Sequence, residues 1–229
     1  MKDKTKKKWF IALNLIIFLS MVVSVAATLI FGSWAARKDV SESVYGVHID
    51  YWMHAVTFTV LSNIMLGIIA LISSSIGIKR CDNKKALPRG LLTWYLIGAT
   101  SGLLTCLTVV VFLAPMRAAS GKEYLDMLLG PMFHLHFLNP VLAAISYIFL
   151  TGNQKVTLKD RLLSLLPPAI YSAPYLIFVA IIRIWPDFYG LTFGGHNYLL
   201  FLVFAVFAAV TFGISSLLAY CHNRQIELK

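Results

Sequence analysis

The chain has 229 residues, 59% of them hydrophobic and only 13% charged, with a net charge of +10 and a mean hydropathy of +0.76. A soluble domain of this length carries about a quarter charged residues, so the composition excludes an ordinary globular protein and points to an all-α polytopic membrane protein. The basic balance does not indicate a nucleic-acid partner, because the lysines and arginines lie in short loops between apolar segments, as expected beside a lipid bilayer.

Residues 1–8, MKDKTKKK, precede an apolar run over 9–31. That run is longer than a signal-peptide core and matches a full span, so it is predicted to be an uncleaved first helix. A polar loop containing Arg37, Lys38, Asp39, Glu42 and Asp50 leads to a second helix, 52–77. A basic loop follows and ends near Pro88. The third helix, 91–114, is expected to stop at Pro115 and carries Thr100, Ser101, Thr105 and Thr108, small residues suited to close packing. The fourth helix covers 126–150, the fifth 166–185 with Pro167 and Pro168 at its start, and the sixth 198–220. Between the last two lies WPDFYGLTFGGHNY, an aromatic and glycine-rich loop placed to act as a lid. The expected organisation is one six-helix transmembrane domain over 1–229, with no internal repeat.

Six spans put both termini on one side. Fifteen lysines and arginines fall on that side and five on the other, which predicts cytoplasmic termini in a bacterial plasma (inner) membrane. Cys81, Cys106 and Cys221 have neither metal-ligand spacing nor an oxidising location, so no metal, cofactor or disulfide is expected.

Two spans carry more than packing requires. The second holds His54, Thr57, Thr59, Ser62 and Asn63, and the fourth holds His134, His136, Asn139 and Pro140. Polar groups inside a membrane segment need partners or a function. Both helices start on the non-terminal side, so Thr59 and His136 are expected at similar depth, about 10–15 Å below that surface. Arg183, Asn63, Asn139 and His196 belong to the same half. The inner halves of these two helices hold only small hydroxyls, Ser73 to Ser75 and Ser146, which favours an outward-opening cavity over a continuous pore. At 100° per residue, Thr59, Ser62 and Asn63 share one face, with His54 and Thr57 opposite; His136 and Asn139 share another, with His134 turned away. The economical pairing is Thr59 with His136, supported by Asn63 and Asn139. His134 and His136, two apart on a helix, make a poor metal pair.

A threonine hydroxyl becomes a nucleophile when a base lies within hydrogen-bond reach, and a neutral imidazole is such a base. An amide donor can stabilise the developing oxyanion. No acidic residue stands where it would orient His136. The structural alternatives for the same residues are hydroxyls bonded back to their own helix, histidines locking helices together, a kink at Asn139-Pro140 satisfied locally, turns at Gly190, Gly194 and Gly195, and an Arg183 that snorkels or pairs with Asp187.

The stretches FTVLSNIMLG (58–67) and HFLNPVLAAISYIF (136–149) resemble the two signatures of the androgen-induced-gene-like membrane proteins and their bacterial six-helix relatives. Animal members of that family are threonine hydrolases that cleave fatty acid esters of hydroxy fatty acids, using a Thr of the second helix and a His of the fourth. The resemblance implies Thr59 as nucleophile, with Thr57 the alternative if the match shifts by two, and His136 as base, with His134 the alternative. The implied activity is hydrolysis of a membrane lipid or fatty acid ester. The contrasting expectation is a non-enzymatic binder or transporter of a small amphiphile, with Arg183 or His196 contacting its anionic group, and beyond that a structural protein whose histidines only tie helices.

Overall fold

A computed structural model describes residues 3–31, 55–79, 87–185, 187, 189–192, 196 and 198–228. Among these residues every regular element is helical, and six helices are long and apolar enough to cross a membrane: α1 (Asp3–Phe31), α2 (Phe58–Lys79), α3 (Arg89–Ala119), α4 (Pro131–Leu150), α5 (Leu158–Ile181) and α6 (Leu199–Glu227). The chain is therefore a multi-pass helical membrane protein. His54, Cys81 and the polar loop 34–50 lie outside the described residues.

Several bounds depart from the sequence expectation. Helix α1 begins at Asp3, inside the lysine-rich start. Helix α3 runs through Pro115 to Ala119 instead of stopping there. Val109–Leu113 is a π-turn in which the Ala114 N–H reaches Val109 O, and the carbonyl that Pro115 leaves without a donor, Val110 O, accepts from Tyr124 Oη at 2.9 Å instead. The expected start of α4 at 126 is instead a separate 3-10 turn, Tyr124–Leu128, cut off from α4 by Gly130 at φ +56°. Helix α5 starts early, at a capping box in which Thr157 and Asp160 satisfy each other's backbone donors. Its far end turns at Arg183, whose φ is +61°, where the Ile184 and Trp185 N–H groups both close on Phe178 O. Helix α6 extends to Glu227.

The densest packing joins α1, α2, α3 and α4, with α6 against α3 and α4. Leu66, Ala70, Tyr95, Leu96, Ala99, Ala143 and Tyr147 are buried there. Gly67 makes room for the Met21 side chain of α1, which a Cβ at that position would strike. On the terminal side, Asp160 accepts from Thr93 Oγ1 at 2.7 Å and pairs with Arg89. His222 and Asn223 fasten α6 to the 151–157 segment, with Asn223 Oδ1 accepting from the Val156 N–H at 2.8 Å and Nδ2 donating to Val156 O at 3.0 Å. Helix α5 packs less closely than the others, touching α6, α2 and α3. The space it leaves is the cavity described next.

Candidate functional site

The cavity has a volume of about 430 Å³ and lies between α3, α5, α6, the first turn of α2 and the 189–191 loop. That size is in the range of small-molecule sites. Leu104, Leu113, Leu165, Phe204 and Phe207 make its walls apolar. Its polar lining is hydroxyl only: Thr59, Thr105, Thr108, Ser172, Tyr171, Tyr175 and Tyr189. Such a lining suits an apolar chain carrying one polar group.

Thr59 stands where this cavity meets a buried polar node. It follows Thr57, whose hydroxyl accepts from the Val60 N–H at 3.4 Å at the start of α2. Thr57 thus serves the helix end, and the cavity-lining hydroxyl is that of Thr59. Ser62 Oγ donates to Thr59 O at 3.2 Å and lies 3.3 Å from Thr105 Oγ1 of α3. Asn63 is 1% exposed. Its Nδ2 donates both to Thr59 O at 2.8 Å and to Leu135 O of α4 at 2.9 Å. Its Oδ1 accepts from Asn139 Nδ2 at 3.1 Å.

Pro140 explains why Asn63 is needed. Residues His134–Leu138 form a second π-turn, in which the Asn139 N–H reaches His134 O. The next donor in that register, facing Leu135 O, would be that of residue 140, and a proline has none. A buried orphan carbonyl is costly, and Asn63 fills the gap from the neighbouring helix. The kink is therefore satisfied across a helix interface and not locally.

The same π-turn separates the two histidines. His134 Nδ1 lies 2.9 Å from Ser20 Oγ of α1, away from the cavity. His136 is 3% exposed, and its Nδ1 lies 2.6 Å from the carbonyl of Met127. A carbonyl only accepts, so Nδ1 carries the proton, and in the neutral ring Nε2 is the basic nitrogen. Met127 belongs to the 3-10 turn, which Tyr124 pins by donating to Val110 O in the α3 π-turn at 2.9 Å. A backbone carbonyl thus orients His136 where no acidic side chain does. His136 is not part of the cavity wall and makes no direct hydrogen bond to Thr59. The two are joined through Asn63, which bonds the Thr59 carbonyl and the carbonyl preceding His136.

Arg183 is exposed, and Asp187 is engaged elsewhere: its carboxylate accepts from Tyr175 Oη, from the Leu191 and Thr192 N–H groups at 3.0 and 2.8 Å, and from Thr192 Oγ1 at 2.7 Å. His196 is exposed beside Tyr198, and its carbonyl accepts from the Leu199 N–H at the start of α6. Neither Arg183 nor His196 lines the cavity.

Residues that sequence reasoning missed include Tyr189, whose hydroxyl accepts from the Phe58 N–H at 2.8 Å and meets Thr59. Burial pushes this phenol up to about 12. The terminal-side half also holds more than small hydroxyls. Tyr95 Oη donates to Asn14 Oδ1 at 2.7 Å, and Asn14 Nδ2 donates to Ser146 Oγ at 3.1 Å. A lone Asn in the first apolar run was the signal available for that cluster. Among the described residues no group of His, Cys, Asp and Glu is placed to hold a metal ion, and Cys106 and Cys221 are free thiols.

Among the described residues, fold and site together define a membrane protein with six helices long enough to span the bilayer and an apolar, hydroxyl-rimmed cavity in its non-terminal half. Comparison with family models, curated proteins and solved structures returns no match.

Proposed function

We propose that the protein is a membrane-embedded hydrolase of lipid esters, with Thr59 as nucleophile and His136 as base, in a bacterial plasma membrane with both termini cytoplasmic. The observation that carries this reading is the position of Thr59. It is a cavity-wall hydroxyl tied through Asn63 to the turn that holds His136, whose Nε2 is left basic by the Met127 carbonyl. The apolar cavity takes the acyl chain and places its carbonyl carbon at Thr59 Oγ1. His136 Nε2 takes the Thr59 proton as Oγ1 bonds to that carbon. The C–O bond to the alcohol then breaks, and the alcohol leaves with the proton from His136. Water, deprotonated by His136, hydrolyses the acyl-threonine and returns the hydroxyl. This chemistry requires Nε2 to reach Thr59 directly or through one water. The likeness of 58–67 and 136–149 to the androgen-induced-gene-like hydrolases supports the same two residues.

A fluorophosphonate probe tests the proposal on the full-length protein in membranes. Labelling is expected in wild type and Thr57→Ala, and is lost in Thr59→Ala and His136→Ala. A folded wild type that takes no label, or label that survives Thr59→Ala, overturns it. The second reading, a non-enzymatic amphiphile binder, is favoured by the absence of a direct Thr59–His136 hydrogen bond and of His136 from the cavity wall. It predicts saturable binding of a fluorescent fatty acid with no probe labelling.

A further inference from the structure

The cavity is not closed. Of the described residues that line it, only Ala169 of α5 and Ala208 of α6 are exposed. The opening therefore lies between these two helices. Small residues at a membrane helix interface ordinarily let the backbones pack together. Ala169 and Ala208 stay exposed instead, and α5 and α6 are the least buried of the six spans. Ala169 stands near the middle of α5, so the opening faces the acyl-chain core of the bilayer and not its headgroups. The wall beside it is apolar, with Leu165, Pro168 and Phe207. Ser172 turns its hydroxyl back on its own helix, donating to Pro168 O at 2.6 Å. The hydroxyls of Thr59, Tyr175 and Tyr189 mark the other end of the cavity. From Ala169 to Tyr175 the α5 wall rises about 9 Å. An extended chain advances about 1.2 Å per bond, so about seven bonds lead from the hydroxyl end to the opening.

We infer that the cavity holds the carbonyl end of one acyl chain of a bilayer lipid, whose tail passes out between α5 and α6, past Ala169 and Ala208, and stays in the bilayer. This rests on the proposed function only in taking the cavity as the ligand's site; the route is the same for a hydrolase and for a binder. The lipid enters sideways, without leaving the membrane for water. The cavity then recognises the polar group and the first several carbons, not the whole chain. Methylenes beyond the opening remain among lipid tails, which are as apolar as a leucine-lined wall, so they add nothing to affinity.

The test uses full-length protein in phosphatidylcholine nanodiscs and a long-chain fatty acid carrying a mid-chain diazirine. Saturable crosslinking is expected on the α5 and α6 peptides that hold Ala169 and Ala208. Decanoic, myristic and stearic acids, at equal mole fraction in the bilayer, should compete within about twofold of one another, since their added methylenes stay in lipid. Ala169→Trp and Ala208→Trp plug the opening and should each lower crosslinking about tenfold, the loss of a few buried methylenes. Val206→Trp, at an exposed position of α6 outside the cavity wall, controls for folding and should leave crosslinking unchanged. Crosslinks that map elsewhere, an equal yield in both tryptophan variants of the opening, stearic acid that competes far more weakly than decanoic acid, or no saturable crosslinking overturns the inference. Crosslinking that the two tryptophans block, in a protein that takes no fluorophosphonate label, keeps the route and rejects the hydrolase. Fluorophosphonate labelling that neither tryptophan reduces keeps the hydrolase and rejects the route.

Discussion

Replacing Asn63 by Leu, the nearest apolar shape, breaks its bonds to Leu135 O and Asn139 and strands both partners in a dry interface. An interhelical hydrogen bond in a membrane protein contributes about 0.6 kcal/mol on average, and each stranded buried group costs about 1–3 kcal/mol. With two groups stranded, Asn63→Leu should therefore destabilise the bundle by about 2–6 kcal/mol. Asn139→Leu is different. It loses one bond but also removes an Oδ1 that already has no partner, so its net effect in wild type is within about 1 kcal/mol. In the Asn63→Leu background the Asn139 amide is wholly unpaired, and removing it should restore about 1 kcal/mol. The double-mutant cycle thus predicts strong coupling, with Asn139→Leu stabilising in one background and neutral or destabilising in the other. Reversible unfolding in mixed detergent micelles, followed by tryptophan fluorescence, measures it. An equal effect of Asn139→Leu in both backgrounds would refute the account of Pro140, Leu135 and Asn63.

Two further predictions address packing and the loop. Gly67→Ala should lower the melting temperature by a few degrees, because the new Cβ drives Met21 aside, and Met21→Ala should cost less in the Gly67→Ala background than in wild type, because the added methyl fills part of the space it vacates. Tyr189 has a folded pKa raised from 10 to about 12 by burial, so its contribution to stability is fully present below about pH 10 and is lost as pH rises toward 12. Thermal melting between pH 9 and 12 should fall more steeply for wild type than for Tyr189→Phe, and parallel curves would contradict the buried placement.

Apolar run lengths and the placement of charge were enough to mark six spans, because a helix crossing lipid must be long and self-satisfied in its backbone bonds. The same reasoning singled out the 58–67 and 134–140 stretches, since Asn63, His136 and Asn139 are costly inside such a helix without partners. Helical phase also placed Thr59, Ser62 and Asn63 on one buried face and set His134 apart from His136, because these positions obey local geometry. It did not foresee that Pro115 and Pro140 would be absorbed by π-turns, which re-phase α3 and α4.

The partners of those residues were decided by the tertiary structure alone. Met127 reaches His136 because a 3-10 turn docks on the α3 π-turn through Tyr124. Asn63 meets Leu135 because a proline five positions on leaves that carbonyl unpaired at a helix interface. Tyr189 arrives at Thr59 because Asp187 folds the 187–192 loop back over the bundle, more than a hundred residues away in sequence. Periodicity fixes which face of an element is buried. It carries no information about which backbone group of another element will stand opposite, and that is set only when the helices pack and their unpaired groups must find one another.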